Sequence, residues 1–334
     1  MSFGYHATPS TIFSALCCLL FFMPAAAFYI TAFTKQRNVQ KSGLLTFKTL
    51  VTRNSPVVSN IALKMTHSTI GAEPEEVQIA LEKIDLSDTT RDQTKNNTSA
   101  STTLINNAKY VTKKVKEAAA KSGREQNAVR LVCVSKTKPA EDIQTLYDAG
   151  FRIFGENYFQ ELLSKAEVLP KDIQWHFIGN LQSTKASKLV RTVLNLSVVE
   201  TVDTLKLAKK LDNACEAAGR PPLSIYIQVD TSGEDTKSGV EPANVVSFVQ
   251  SIREECPLLI VAGLMTIGAP DDFTCFDKLV LAREQVASAL NVEPSTLALS
   301  MGMSGDYEEA IERGSTNVRV GSTIFGARDY GASK

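Results

Sequence analysis

LVCVSK at 131–136, EDIQTLYDAG at 141–150 and RIFGEN at 152–157 form the stretch that decides the fold. The first run is apolar, rich in β-branched residues and too short for a helix, so it predicts a strand. The second carries apolar residues at three-and-four spacing, the pattern of an amphipathic helix. The third is again a short apolar run ahead of polar residues, a second strand.

Outward from this unit the pattern repeats. IQWHFIG (173–179), LSVVETV (196–202), LSIYIQVD (223–230), LIVAGLMTIG (259–268), TLALSMGM (296–303) and NVRVGSTIFG (317–326) read as strands. Amphipathic segments such as TLKLAKKLDNACEAAG (204–219), VVSFVQSIREE (245–255) and KLVLAREQVASAL (278–290) lie between them, and a helical stretch from Leu104 ending in KSGR precedes the first strand. Eight alternations in about 230 residues predict an α/β fold, a single TIM-type (β/α)8 barrel, whose usual size is about 250 residues. The alternative, a doubly wound open sheet, needs a glycine-rich first turn, and no G-x-G-x-x-G follows the first strand. In the last strand Val318 and Val320 share one face while Arg319, Gly321 and Thr323 share the other, so the valines should meet the helices and the polar set the barrel interior or mouth.

Composition narrows the function. Basic and acidic residues balance at 36 each in 334 residues, which removes the basic excess expected of a nucleic-acid or anionic-membrane partner and leaves a small molecule as the default. Cys17 and Cys18 sit in an apolar N-terminal run, and Cys133, Cys215, Cys256 and Cys275 are scattered singly. Without a Cys-x-x-Cys or Cys/His cluster, a metal site is not expected, and the four body thiols read as small buried hydrophobes.

Residues 1–72 are of another kind. The run 11–33 carries no charge and no acidic residue precedes Glu73, so this segment reads as a targeting or anchor segment. Plastid or mitochondrial import is the expectation, a membrane anchor or a cytoplasmic protein starting at Met65 the alternatives. Residues 73–103 read as a polar linker, with a short acidic helix at 73–84 and a flexible stretch at 85–103. The barrel should occupy 104–330, with 331–334 a tail; the sequons at Asn96, Asn97 and Asn195 are short enough to arise by chance.

The active end of a β/α barrel is the C-terminal end of its strands, and phosphate commonly binds at the seventh and eighth loops. Those ends bring Lys136, Glu156, Asn157, Gly179, Asn180, Asp230, Met265, Thr266, Met303, Ser304, Gly321 and Ser322. MGMSGDYEEA (301–310) offers a glycine-flanked serine at a helix start, where free N–H groups favour a dianion. RVGSTIFG (319–326) offers a second glycine with two hydroxyls beside it. A phosphate rim plus a lysine ending the first strand suits an aldehyde-bearing phosphate ester such as pyridoxal phosphate, the amine condensing with the aldehyde across the mouth from the phosphate. Each signal alone has a plainer reading: a strand-end lysine is commonly a solvated cap and an S-G-D turn a simple N-cap, and another phosphorylated metabolite would serve the same rim.

VSKTKP (134–139), FGENYFQE (154–161), WHFIGNLQSTK (175–185), SGEDTKSG (232–239), GLMTIG (263–268), LSMGMSGDYEEAI (299–311) and VRVGSTIFGARDY (318–330) resemble, in order and interval, the pyridoxal phosphate homeostasis protein family, related to the alanine racemase barrel domain. The resemblance implies pyridoxal 5'-phosphate as a Schiff base on Lys136, with Lys138 the lesser choice. Strand parity agrees, since Lys136 shares a face with Val132 and Val134. It carries phosphate contacts to Ser304, Gly321, Ser322 and Thr323, and ring contacts to Asn157, Ile178 and Met301. Arg319 is the candidate neighbour of the pyridine nitrogen, where a guanidinium discourages protonation and weakens the ring as an electron sink. His176 reads as a packed strand residue between Trp175 and Phe177, with a cofactor contact as the alternative; Lys185 and Lys188 read as solvated, with a basic rim as the alternative. Thr184 stands where the family usually has asparagine, which puts a local rim contact in doubt.

Alanine racemases add a β-rich second domain that brings a tyrosine base, and only four residues follow Tyr330. Efficient racemisation is therefore not expected. A monomeric carrier that holds the cofactor and hands it to pyridoxal phosphate-dependent apoenzymes is the preferred reading, and a low-activity racemase or related enzyme the alternative.

Overall fold

The computed structural model describes residues 29–31, 46–53, 55–64, 87–234 and 238–327, with side-chain surroundings from residue 99 onward. The chain divides into two compact units, Met1–Thr90 and Arg91–Lys334. In the first, β1 (Tyr29–Thr31), β2 (Thr46–Arg53) and β3 (Ser55–Lys64) form an antiparallel sheet in that order. Apart from Tyr29–Thr31 the apolar run 11–33 lies outside the described residues, as do the expected acidic helix at 73–84 and the tail 331–334. Among the described residues no helix is long and apolar enough to cross a membrane.

The first helix, α1, runs over Ser87–Lys121, with all but its first four residues in the second unit. Residues 87–103, expected as linker, are helical instead. No proline or glycine occurs between Ser87 and Lys121, and Leu104, Ala108, Val111, Val115 and Ala119 are buried at helical spacing. Once that packed half is helical, extending it into polar sequence needs no new nucleus.

Strands and helices then alternate: β4 (Arg130–Val134), α2 (Ala140–Asp148), β5 (Ile153–Glu156), α3 (Phe159–Val168), β6 (Gln174–Phe177), α4 (Ala186–Thr192), β7 (Leu196–Val202), α5 (Leu205–Ala217), β8 (Leu223–Gln228), α6 (Val245–Glu255), β9 (Leu259–Met265), α7 (Thr274–Leu290), β10 (Ala298–Ser300), α8 (Tyr307–Glu312), β11 (Asn317–Val320) and α9 (Ser322–Phe325). The eight strands β4 to β11 close a parallel barrel. Closure is made by β11 beside β4, with Val318 opposite Leu131 and Val320 opposite Cys133, which excludes the open sheet.

Alternation along the strands separates two layers. Cys133, Phe154, Trp175, Phe177, Val199, Ile225, Ile227, Leu299, Val318 and Val320 join the cluster that includes Ile143, Leu162, Leu211, Val249 and Leu279 of the helices. At ~1.5–3 kcal/mol for each large apolar side chain taken fully out of water, this outer layer is the main source of stability. The interior holds a small apolar cluster of Val198, Tyr226 and Met265, the buried Val132 and Val134 of β4, and a set of polar and charged groups. The last strand is shorter than its apolar run suggests. It stops at Val320, and Gly321 O accepts the N–H groups of Ile324 and Phe325, turning 322–325 into a single helical turn.

Candidate functional site

β4 delivers Lys136 to the mouth. A Cβ added at Gly155 would meet Val132 Cγ1 at 2.9 Å and Val134 Cγ2 at 3.5 Å, so both valines face inward over β5, and Lys136 follows Val134 by two residues, half-buried in the turn beyond. Lys138 is engaged elsewhere, its Nζ donating to Ala327 O at 2.8 Å. Thr137 between them adopts φ of +63°, and its N–H donates to Glu161 Oε2 at 2.8 Å.

The seventh and eighth loops meet beside this turn. Ser304 Oγ accepts the N–H groups of Gly321 at 3.1 Å and Thr323 at 3.4 Å, and Thr323 Oγ1 donates to Ser304 O at 3.4 Å. Ser304, Gly321 and Thr323 are half-buried and Ser322 is exposed, so the loop is open at the surface while its two N–H groups are engaged by Ser304 Oγ. A Cβ at Gly321 would lie 3.3 Å from Val134 O, a close approach that presses this loop against the strand of Lys136. Two expectations change. The helix after Ser304 begins only at Tyr307, and Asp306 Oδ1 takes the Met303 N–H, so the seventh loop contributes the serine while the N–H donors come from the eighth. The loops also sit next to Lys136 and not across the mouth, because closure sets β11 alongside β4, about 4.8 Å away.

Beneath them the interior is charged. Glu200 is fully buried and takes His176 Nδ1 at 2.5 Å and Ser300 Oγ at 2.5 Å. Ser300 Oγ in turn accepts from Asn317 Nδ2 at 3.0 Å and Arg319 NH1 at 2.5 Å, and Arg319 NH2 donates to Thr266 O at 2.9 Å. Burial alone would push the Glu200 carboxyl up, but the His176 hydrogen bond and charge, then Arg319 and Ser300, outweigh it and hold it below the ordinary carboxylate value. Burial lowers the Arg319 guanidinium, opposed by the charges of Glu200 and Asp306. His176 thus belongs to this network, with its ring edge-on to Tyr226.

Of the ring-side candidates, Asn157 and Ile178 stand at the mouth. Asn157 Oδ1 is buried and has no hydrogen-bond partner, and its backbone is fixed by Gly179, where a Cβ would fall 2.0 Å from Asn157 O. Ile178 is half-buried beside Gly155. Met301 differs: it is fully buried and packs with the helix layer, as the parity of β10 requires when Ser300 points inward. It has no open surface to offer a ligand. Lys185 lies over the Phe159 ring at 5.5 Å, while Thr184 and Lys188 are exposed. Asp230 Oδ1 caps its own loop through Ser232 and Gly233.

Several residues escape a reading of the sequence. Glu200 carries a signal, an acid inside the apolar strand LSVVETV, where a buried charge demands a partner. Ser300 and Asn317 carry none. Lys165 and Glu161 are one turn apart on α3, an ordinary surface pair by spacing, yet Lys165 is buried against Glu156. Cys133, Cys215, Cys256 and Cys275 are free and buried, as expected, and no His, Cys, Asp and Glu group that could hold a metal occurs among the described residues.

Residues 107–329 match the family described as alanine racemase, N-terminal domain. The chain is 46% identical over 238 residues to the pyridoxal phosphate homeostasis protein of Bos taurus, covering 66% of this chain and 85% of the relative. Among solved structures, a protein of unknown function from Bifidobacterium adolescentis is 34% identical with a TM-score of 0.62, covering 68% of this chain and 96% of its own. PipY of Synechococcus elongatus, solved with PLP bound, is 33% identical with a TM-score of 0.52, covering 64% of this chain and all (100%) of its own.

Proposed function

We propose, from the premise that this chain belongs to the pyridoxal phosphate homeostasis protein family on the alanine racemase N-terminal barrel, that it holds pyridoxal 5'-phosphate covalently on Lys136 and serves its storage and delivery. The observation that carries this reading is the convergence of the Gly321 and Thr323 N–H groups on one oxygen position, that of Ser304 Oγ, beside the strand that ends in Lys136. Two backbone donors and adjacent hydroxyls suit a phosphate, and the orphaned Asn157 Oδ1 offers an acceptor to a polar ring substituent. The residues present therefore fit the group. When bound, pyridoxal phosphate supplies an electrophilic aldehyde and a conjugated ring.

The chain's own residues do the rest. Ser304, Gly321, Ser322 and Thr323 hold the phosphate; Ile178 and Asn157 flank the ring; Lys136 supplies the amine. Arg319, pinned by Ser300 and Thr266, would be the cation nearest the ring nitrogen and would disfavour its protonation. Racemisation needs a proton acceptor on each face of the ring. The titratable interior groups His176 and Glu200 are committed to each other, which supports a carrier without catalysis of its own. Pyridoxal phosphate-dependent apoenzymes are the recipients in this reading.

The test is to load the full chain with pyridoxal phosphate, reduce with borohydride and map the modified peptide. The adduct is expected on Lys136 and lost in Lys136→Ala; an adduct that persists on another lysine, or none in the parent protein, overturns the assignment. Turnover of amino acids faster than with free cofactor would overturn the carrier half alone.

A further inference from the structure

We infer that Glu161 and Lys165 are positioning residues for Lys136, holding the turn that carries it in a backbone conformation the turn does not favour by itself. The inference rests on the reading that Lys136 is the cofactor lysine. Thr137 is β-branched and sits at φ of +63°, a left-handed conformation in which such a residue is a rare outlier and which persists only where the surroundings enforce it. Those surroundings are specific. Glu161 Oε2 accepts the Thr137 N–H at 2.8 Å and Lys165 Nζ at 2.9 Å. The same ammonium donates to Ser135 O at 2.9 Å and to Glu156 Oε1 at 2.8 Å, and Ser135 Oγ donates to Glu156 Oε1 at 2.6 Å.

A lysine ammonium has three N–H donors, and here they are shared among Ser135 O, Glu156 and Glu161. The group thus grips the residue before Lys136 directly and the residue after it through Glu161. The Lys165 side chain is 8% exposed and Glu156 0%, while Glu161 is 31% exposed. A buried charge cluster is weak evidence of stability, since apolar residues of like volume commonly do as well. Its position on both sides of Lys136 is what assigns it a role. Presenting an amine to an aldehyde depends on orientation, and small misplacements far from the reacting atoms lower the rate of capture.

The test uses the full-length protein and two ligands: pyridoxal phosphate, and pyridoxine 5'-phosphate, which keeps phosphate and ring but has an alcohol in place of the aldehyde. Glu161→Ala is expected to slow covalent capture by about tenfold, a loss of orientation, while pyridoxine phosphate affinity stays within about twofold. Asparagine tolerates the left-handed region, so adding Thr137→Asn to Glu161→Ala should restore most of the lost rate. In the apo protein, Thr137 amide exchange should quicken in Glu161→Ala and stay slow in Glu161→Gln, whose amide oxygen still accepts. Unchanged capture in Glu161→Ala, an equal loss for both ligands, or failure of Thr137→Asn to rescue overturns the positioning role. Should the parent protein form no adduct on Lys136, the cofactor assignment itself fails, a separate outcome.

Discussion

Two buried charge clusters flank the mouth of this barrel, and they are built to different standards. In the interior network Glu200 has both carboxylate oxygens engaged, one by His176 and the other by Ser300, with Asn317 and Arg319 closing the set. In the cluster under the Lys136 turn, Glu156 has one oxygen bonded twice and the other, Oε2, buried without a partner. Their protonation follows. Glu200 is held below its ordinary value. Burial pushes the Glu156 carboxyl up, and the charge and hydrogen bond of Lys165 with the bond from Ser135 only partly offset it. Each network also keeps one orphaned acceptor, Asn317 Oδ1 in the interior and Glu156 Oε2 under the turn, so the contrast lies in the carboxylates themselves, one bonded through both oxygens and one through a single oxygen.

Breaking the interior network should have the largest effect. Glu200→Leu leaves Arg319 without its counter-charge and His176 and Ser300 without their hydrogen-bond acceptor, and is expected to cost about 3–5 kcal/mol, the range for removing one partner of a buried ion pair, read from urea unfolding at neutral pH. A loss under about 1 kcal/mol would place the network nearer to a surface pair.

Lys165→Met comes next, at about 3 kcal/mol near pH 7, and pH separates the two. The folded-state value of Glu200 lies below its unfolded one, so its contribution is complete above about pH 4.3 and drains away only as pH falls through the lower folded value. The penalty of Glu200→Gln should therefore be lost only as pH falls below about 4.3. Glu156 is raised, so the folded state favours its protonated form: its contribution is complete below about pH 4.3 and is lost as pH rises through the folded value. Without Lys165 that value climbs further, and the penalty of Lys165→Met should already shrink between pH 7 and 4.3. Matching profiles for the two variants would show the clusters to be electrostatically alike. The smallest effect belongs to Glu156→Gln, within about 1 kcal/mol at pH 7, because relief of desolvation offsets the lost charge pairing.

The legible and illegible parts divide along the same line. Lys136, Gly321 and Arg319 can be placed because each ends or lies in a strand whose alternation fixes its face, and the barrel rule says which end is the mouth. Met301 belongs to the core and not to the ring because the alternation of β10 continues past Ser300 into the loop. The helical start at Ser87 is hidden because a polar sequence without breakers inherits the helix of its neighbour. The apolar run NVRVGSTIFG conceals a one-turn helix because Gly321 changes the path of the chain without changing its hydropathy.

Local pattern alone determined the barrel, the order of its strands and the placing of Lys136 after the first of them, since burial on one face of each strand and helix imposes a period that short segments carry by themselves. Only the tertiary structure decided which polar groups meet. Glu200 finds Ser300 at a separation of 100 residues, and the loop after β11 lies beside the strand that leads to Lys136 because closure joins the last strand to the first. Such contacts depend on how the barrel shuts, and no stretch of sequence contains both sides of them.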